Sequence, residues 1–220
     1  MKRRGIRTLL TGVAVLEMFA LWTMLVQTVD VQPIGPQETE VGFAAINGRF
    51  HAAAGTNMIL YHITDWLGLV PVFACLFFAG VGLQQLIKRK SLLRVDGDIL
   101  LLGGHYAAVI AGYLLFEMFP VNYRPVLIDG FLEASYPSST TLLVLGVMPT
   151  LDFQAARRLT AATGRKVIRL LIVSFSGFMV VGRVLSGVHW LTDIVGSVLL
   201  SGGLFLMYKA LVCLMDECRR

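Results

Sequence analysis

The stretch GRVLSGVHWLTDIVGS, residues 182–197, places Arg183, His189 and Asp193 within eleven residues of a strongly apolar part of the chain. Ionisable side chains are costly inside a membrane, and those found there usually serve a function. Two explanations are open. Either the histidine and the aspartate satisfy each other in the core of a helix bundle, or the three residues form a site.

The composition of the whole chain is that of an integral membrane protein. Of its 220 residues, 56% are hydrophobic and 15% are charged, and the mean hydropathy is +0.72. A soluble domain carries about 25% charged residues. The apolar residues fall in blocks rather than in amphipathic stripes. In a membrane protein, the ionisable residues of 182–197 favour a site over a satisfied core pair.

The apolar blocks predict an all-α fold, a polytopic bundle of six transmembrane helices. Crossing about 30 Å of hydrocarbon takes about 20 apolar residues. Six runs approach this length, the fourth being short: 8–28, 58–86, 98–119, 138–153, 167–187 and 190–214. The first run lacks a small-residue cleavage site and contains Glu17, so we expect a retained helix rather than a signal peptide. No linker or repeat divides the chain, and we expect one membrane-embedded domain over residues 1–220.

The basic residues predict the orientation. If the N-terminus is cytoplasmic, all 19 Lys and Arg residues except Arg49, Arg124 and Arg183 fall on the cytoplasmic side. The positive-inside rule therefore predicts a multi-pass plasma-membrane protein with both termini in the cytoplasm. The net charge of +5 then faces anionic lipid of the inner leaflet, and no nucleic-acid partner is needed to explain it.

The three cysteines do not predict a disulfide framework or a metal site. Cys75 lies within a predicted span, and Cys213 and Cys218 lie near the predicted cytoplasmic end, where thiols stay reduced. Their spacing does not match metal-binding patterns. We expect no metal and no other cofactor.

His189 and Asp193 are four residues apart at the start of the last predicted helix, so they share a face. An aspartate one turn away can fix the tautomer of the imidazole and leave the other nitrogen free as a nucleophile or base. Arg183 offers a planar set of donors suited to phosphate oxygens.

Further candidates come from two other parts of the chain. The stretch YPSSTTLL, residues 136–143, puts Ser138 and Ser139 at a helix N-terminus, where free N–H groups attract anions. The stretch NYRP, residues 122–125, holds Arg124 in a turn beside proline. The predicted topology places both stretches and His189 at the outer face. Such convergence indicates an extracytoplasmic phosphate site.

These residues resemble the type 2 phosphatidic acid phosphatase family, which belongs with the vanadium-dependent haloperoxidases in one superfamily. That family has a lysine seven residues before Arg-Pro, then Pro-Ser-Gly-His, then Ser-Arg followed by His and Asp. The third motif matches from Arg183 through His189 to Asp193, with Gly182 in the place of the serine. The order of motifs agrees from about residue 58 to the C-terminus.

The resemblance implies metal-independent phosphoryl transfer. His189 would attack phosphorus to form a phosphohistidine, and Asp193 would orient it. Arg124, Ser138 and Arg183 would hold the phosphate oxygens in the transition state, with Ser139 beside them. Water would then release phosphate.

Two positions depart from the family pattern. Glu117 stands seven residues before Arg124, where the family has lysine, and a carboxylate there repels phosphate unless it is turned away or paired. Thr140 stands where the family has its second histidine, the general acid for the leaving alkoxide. Loss of a general acid costs about 10²–10⁴ in rate. Glu117 and Thr140 are therefore auxiliary candidates only.

Three accounts of the missing acid are open. A phosphate leaving group, with a second pKa of about 6, needs no acid and would favour a polyprenyl diphosphate substrate. Another residue, such as His51 or His62, could supply the proton. Alternatively, the protein is catalytically impaired and binds or transports a lipid phosphate.

The functional prediction is thus a membrane phosphatase that hydrolyses a lipid phosphate or polyprenyl diphosphate through a phosphohistidine. Its alternative is a lipid-phosphate binding or transport protein on the same fold. The partners predicted are the bilayer and an amphiphilic substrate. The identity of the lipid, the oligomeric state and the role of the external segment 29–57 are left open by the sequence.

Overall fold

The computed structural model describes residues 2–218, and most of them are helical. The helices are α1 (Lys2–Thr28), α2 (Ala44–Ala54), α3 (Met58–Leu67), α4 (Leu69–Arg89), α5 (Gly97–Met118), α6 (Ser139–Arg158), α7 (Ala162–Leu185) and α8 (Leu191–Cys218). Short 3₁₀ turns occupy Pro36–Glu38 and Leu92–Arg94. Within residues 2–218 there is no β-strand longer than an isolated bridge. The all-helical prediction is therefore confirmed. Arg219 and Arg220, which entered the charge argument, lie outside the described residues, as does Met1.

Five helical segments among the described residues are long and apolar enough to cross a membrane: Arg3–Thr28, Met58–Arg89, Gly97–Met118, Ala162–Leu185 and Leu191–Cys218. They correspond to five of the six predicted spans. The predicted span 138–153 becomes α6, which is less apolar. α6 packs against α4, α5, α7 and α8. Its polar residues, such as Thr141, Thr150 and Gln154, are buried against protein, and a central helix of this kind needs no continuous apolar surface.

The second predicted span, 58–86, is two helices rather than one. The chain breaks at Gly68, whose N–H bonds to the carbonyls of Thr64 and Asp65. Pro71 follows in the first turn of α4, where its missing N–H costs no helical hydrogen bond. The break makes α3 a short helix separate from α4, and α3 packs mainly against α7.

α1 and α8 pack along much of their lengths. Glycines allow the close approach: a Cβ on Gly203 would lie 2.6 Å from the Leu16 side chain, and one on Gly12 would lie 3.1 Å from the backbone of Met207. Small residues at such contacts are typical of helix pairs in membranes. α1 therefore supports the helix that begins just after His189.

The segment 29–57 is bound to the end of the bundle at which α6 and α8 begin, here called the site end. Asn47, on α2, is buried and donates to Gly42 O and Thr192 Oγ1 at 2.8 and 3.0 Å. Asn57 N donates to Ser186 O at 2.9 Å. Gly187 has φ +66°, and a Cβ there would lie 1.9 Å from Gly55 O, so only glycine fits.

At the opposite end of the bundle, polar residues of α5, α6 and α8 form ion pairs. Asp98 contacts Arg157 and Arg158 at 3.4 and 3.0 Å, and Arg157 also contacts Asp216 at 2.7 Å. Deeper in the bundle, His105 Nε2 lies 2.7 Å from Gly146 O. These contacts are the structural pairing that ionisable groups need in a bundle.

Candidate active site

Asp193 lies in the first turn of α8 and caps the helix, and His189 lies two residues before the helix begins. Asp193 Oδ2 accepts from the Trp190 N–H at 2.9 Å, and Oδ1 accepts from Asn122 Nδ2 at 3.1 Å. Both side chains are almost completely buried. His189 Nδ1 and Asp193 Oδ2 are 3.8 Å apart, which is beyond hydrogen-bond distance. The two residues predicted to form a direct pair are thus close but not bonded to each other.

Ser135 lies between them. Its hydroxyl is 3.1 Å from His189 Nδ1 and donates to Asp193 Oδ2 at 2.5 Å. The carbonyl of Ser135 also lies 3.2 Å from Nδ1. His189 Nε2 is buried and has no hydrogen-bond partner among residues 2–218. Since a carbonyl only accepts, Nδ1 is the protonated nitrogen and Nε2 carries a free lone pair.

The surroundings of His189 keep its ring neutral. Burial, together with the positive charges of Arg124 and Arg183, holds the pKa of His189 well below its ordinary value of 6.5. A neutral imidazole with an unbonded Nε2 is the form that can act as a nucleophile or base.

Arg124 and Arg183 meet at one aromatic ring. The guanidinium carbons lie 5.7 and 4.9 Å from the centroid of Tyr61. Arg183 is 1% exposed and comes from the last turn of α7, while Arg124 comes from the loop 120–137. Gly182 admits α3 beside Arg183, because a Cβ there would lie 2.7 Å from Thr64 Cγ2. A side chain at position 182 would therefore require the Thr64 methyl group to shift.

Each arginine is also paired with a carboxylate. Arg124 Nε lies 3.0 Å from Glu133 Oε2, and Arg183 Nη2 lies 3.8 Å from Asp65 Oδ1. Both carboxylates are far more exposed than the arginines, with side-chain exposures of 41% and 55%. The cationic groups are therefore held by acids that face away from the protein core.

The loop 120–137 is braced by its own backbone. Arg124 N donates to Glu133 O at 3.0 Å, and Ser135 N donates to Asn122 O at 2.9 Å. The two sides of the loop therefore run side by side and present Arg124 and Ser135 together. Trp190 Nε1 donates to Tyr123 O at 2.7 Å, which ties the loop to the start of α8.

The two serines at the start of α6 point differently. Ser138 is fully buried, and its hydroxyl donates to Thr141 Oγ1 at 3.1 Å. Ser139 is partly exposed and lines both cavities at the site end. The hydroxyl that is accessible to a ligand at this helix N-terminus is thus that of Ser139.

Two cavities meet beside Ser139. One is polar, has a volume of about 210 Å³, and is lined by Glu117, Arg124, Glu133 and Ser135 among others. The other has a volume of about 500 Å³ and is mostly apolar; its lining includes Leu69, Val72 and Cys75, with Thr140 and Asp65 among its polar members. Tyr113 and Ser139 line both. The pair of cavities matches an amphiphile with a charged head and an apolar tail.

The sequence-predicted residues are thus distributed around one end of the bundle. Glu117 lies in the polar cavity with Arg124, whereas Thr140 lies in the apolar one. Neither His51 nor His62 lines either cavity; His51 packs edge-on against Trp190 at 5.6 Å. In the described part of the chain, no group of three or more His, Cys, Asp and Glu side chains could hold a metal.

Four contributors were missed from the sequence: Ser135, Asn122, Tyr61 and Glu133. Asn122 is the first residue of the quoted stretch NYRP, and Ser135 directly precedes YPSS, so their position in or beside the motifs was a usable signal. Tyr61 and Glu133 carry no such signal, because only the packing of α3 and of the loop brings them to the arginines.

The profile of the PAP2 superfamily matches residues 104–213, half of the chain. The chain belongs to the PAP2 superfamily. A solved structure, a transmembrane PAP2-type phosphatidylglycerolphosphate phosphatase from Bacillus subtilis, has a similar fold. The TM-score is 0.65 at 17% sequence identity, with 95% of this chain and 97% of that chain covered. No curated protein matches the chain at a significant level.

The PAP2 match covers Arg124, Ser138, Arg183, His189 and Asp193. Tyr61 and Asp65 precede the matched residues. In this PAP2 protein the arginines are thus supported by a helix, α3, that lies outside the region the profile recognises.

Proposed function

We propose that this PAP2 protein is a membrane phosphatase that acts on a lipid phosphate or polyprenyl diphosphate through a phosphohistidine. The observation that carries the proposal is the unbonded Nε2 of a neutral His189, in an end of the bundle that also holds two arginines over one ring. A lone-pair nitrogen and a cationic phosphate cradle are the two components of nucleophilic phosphoryl transfer.

In the proposed reaction, His189 Nε2 forms a bond to phosphorus while the bond to the leaving oxygen breaks. The electron pair departs with that oxygen. Arg124 and Arg183 bind the equatorial oxygens, where negative charge is concentrated, and the N-terminus of α6 with Ser139 adds further donors. Water then attacks the phosphohistidine and releases phosphate.

The cavities support an amphiphilic substrate. The phosphate would enter by the polar cavity beside Arg124, and the tail would follow the apolar cavity past Cys75. His189 and Arg183 are buried and line neither cavity, so the headgroup must reach beyond the polar cavity to meet Nε2. We further propose that the site end faces the outside of the plasma membrane, with both termini in the cytoplasm. The support for this orientation is the basic residues at the opposite end.

The leaving group selects between substrates. Thr140 lies beside the apolar cavity and cannot donate a proton as a histidine does. A diphosphate expels a lipid monophosphate, which is a stable anion and needs no proton, whereas a monoester expels an alkoxide. We therefore favour the diphosphate.

A lipid-phosphate binder is the second candidate function, and it is favoured by Thr140, which supplies no general acid for a leaving alkoxide. Phosphate release from purified protein separates the two. The substrates are phosphatidic acid, phosphatidylglycerol phosphate and undecaprenyl diphosphate, and the variants are His189→Ala and, as a control away from the site, His105→Gln.

The enzyme proposal expects turnover that His189→Ala abolishes. Absence of turnover with all three lipids, together with lipid binding that Arg183→Ala weakens, would establish the binder instead.

A further inference from the structure

We propose that Ser135 is a positioning residue whose hydroxyl links His189 to Asp193 and, together with its backbone carbonyl, holds the ring proton on Nδ1. The chemistry of this proposal rests on the proposed phosphoryl transfer. Its geometry rests on the contacts of one side chain that is 2% exposed.

Asp193 does not reach the imidazole by itself. Its Oδ2 is 3.8 Å from Nδ1, whereas Ser135 Oγ lies 2.5 Å from Oδ2 and 3.1 Å from Nδ1. The hydroxyl is therefore within hydrogen-bond distance of both partners, and the partners are not within hydrogen-bond distance of each other. The aspartate acts on the ring through the serine.

The direction of both bonds follows from the number of protons. An ionised carboxylate only accepts, so the single hydroxyl proton of Ser135 points to Asp193. Toward the ring, Oγ can then only accept, and Nδ1 must donate. The Ser135 carbonyl at 3.2 Å imposes the same requirement. Two acceptors of one residue thus hold the proton on Nδ1 and leave Nε2 free for phosphorus.

The link has a specific task during the reaction. When Nε2 bonds to phosphorus and the leaving oxygen takes the electron pair, the ring becomes a cation that keeps its Nδ1 proton. The Ser135 hydroxyl, polarised by Asp193, stabilises that cation without taking the proton. When water displaces Nε2, the electron pair returns to the ring and the cation disappears.

Asn122 positions Ser135 and Asp193 relative to each other. Its carbonyl accepts from Ser135 N at 2.9 Å, and its side-chain amide donates to Asp193 Oδ1 at 3.1 Å. The same residue therefore positions both ends of the link. An amide on one oxygen of Asp193 leaves the other oxygen for Ser135.

The kinetic test compares Ser135→Ala, Ser135→Thr and Asp193→Asn on the lipid of highest turnover. Loss of a hydrogen bond to a charged group predicts a fall in kcat of about 10- to 100-fold for Ser135→Ala, with little change in KM. Ser135→Thr, which keeps the hydroxyl, should recover most of the rate. Ser201→Ala is the matched control, since the hydroxyl of this buried serine of α8 bonds to the carbonyls of Ser197 and Val198 in its own helix.

The double variant Ser135→Ala/Asp193→Asn tests whether the two residues act as one unit. The proposal expects it to be no slower than the slower single variant, because either change already breaks the link. Losses that multiply, or a Ser135→Ala variant within about twofold of wild type, would refute the link.

A measurement without substrate separates this proposal from the proposed function. The nitrogen resonances of ¹⁵N-labelled histidine, assigned with His189→Gln, should show Nδ1 protonated and Nε2 not. Ser135→Ala and Asp193→Asn should both shift the Nδ1 resonance. If these shifts occur in a protein without turnover, the link holds and the phosphatase proposal fails. If turnover is normal but Nε2 is protonated, or Ser135→Ala leaves Nδ1 unchanged, the link is wrong.

Discussion

Arg124 and Arg183 both make cation–π contacts with Tyr61: their guanidinium carbons lie 5.7 and 4.9 Å from the centroid of its ring. Two cations so close repel each other, and the ring quadrupole offsets part of that cost. A phosphate that binds both would offset more, because it brings negative charge to both at once. Tyr61 thus stabilises a pair of cations to which an anion could bind.

Tyr61→Leu is therefore expected to weaken phosphate binding. A cation–π contact to a buried arginine contributes about 1–2 kcal/mol, so kcat/KM should fall about tenfold. Tyr61→Phe keeps the ring and should stay close to wild type. Steady-state kinetics on one lipid substrate measures both. Equal losses in the two variants would mean that the hydroxyl, not the ring, supports the arginines.

Glu133→Gln is expected to tighten the binding of phosphate analogues. The Glu133 carboxylate, whose side chain is 41% exposed, lies 3.0 Å from Arg124 Nε, and a bound anion would have to displace it from the guanidinium. An exposed pair contributes at most about 1 kcal/mol, so the inhibition constant of orthovanadate should fall about two- to fivefold. Asp129→Asn removes one negative charge from the same loop and serves as the control. A weaker inhibitor in Glu133→Gln would show that Glu133 positions Arg124 instead of competing for it.

His189 is expected to make unfolding depend on pH. Its pKa is held well below 6.5 in the folded protein and returns to about 6.5 in the unfolded chain. Protonation therefore favours unfolding, and the free energy of unfolding falls as the pH decreases from about 6.5 toward the folded-state pKa. The Tm of wild type in detergent should drop more than that of His189→Gln between about pH 7 and pH 5.

His62→Gln makes the same substitution at an exposed histidine of α3 and controls for the change of residue type. The same low pKa predicts that the acidic limb of kcat/KM, if set by His189, lies below about pH 6.5. Identical slopes for wild type and His189→Gln would show that this histidine does not resist protonation in the folded protein.

Thr140→His is expected to raise turnover of a monoester more than that of a diphosphate. The side chain lines the cavity of about 500 Å³, which offers space for an imidazole beside Gly68. A histidine could protonate a leaving alkoxide and supply up to about 10²-fold. Thr140→Gln adds similar bulk without a titrating group and is the control. Fast monoester hydrolysis in wild type would contradict the leaving-group argument.

In the structure α8 begins at Leu191, so His189 precedes the helix, and its Nδ1 lies 3.8 Å from Asp193 Oδ2. The sequence predicted from their spacing that the two residues share a face at the start of this helix. It also predicted the long apolar helices, because the hydrocarbon thickness sets their length. It predicted 58–86 as one span, and Met58–Arg89 is one membrane-length segment, but hydropathy does not register the helix break at Gly68 within it. It counted α6 as an ordinary span, although that helix is surrounded by protein.

By itself, the sequence determined the helical membrane fold, the location of the polar motifs at one end of the bundle, and the choice of His189 as the candidate nucleophile. These properties depend on local periodicity and on composition, which the chain carries along its length. Only the tertiary structure decided that Ser135 stands between His189 and Asp193, that Tyr61 lies against both arginines, and that Glu133 pairs with Arg124. These contacts bring residues that are distant along the chain to within a few ångströms of each other. Hydrogen bonds and ion pairs depend on those distances, which the spacing of residues within one segment does not determine.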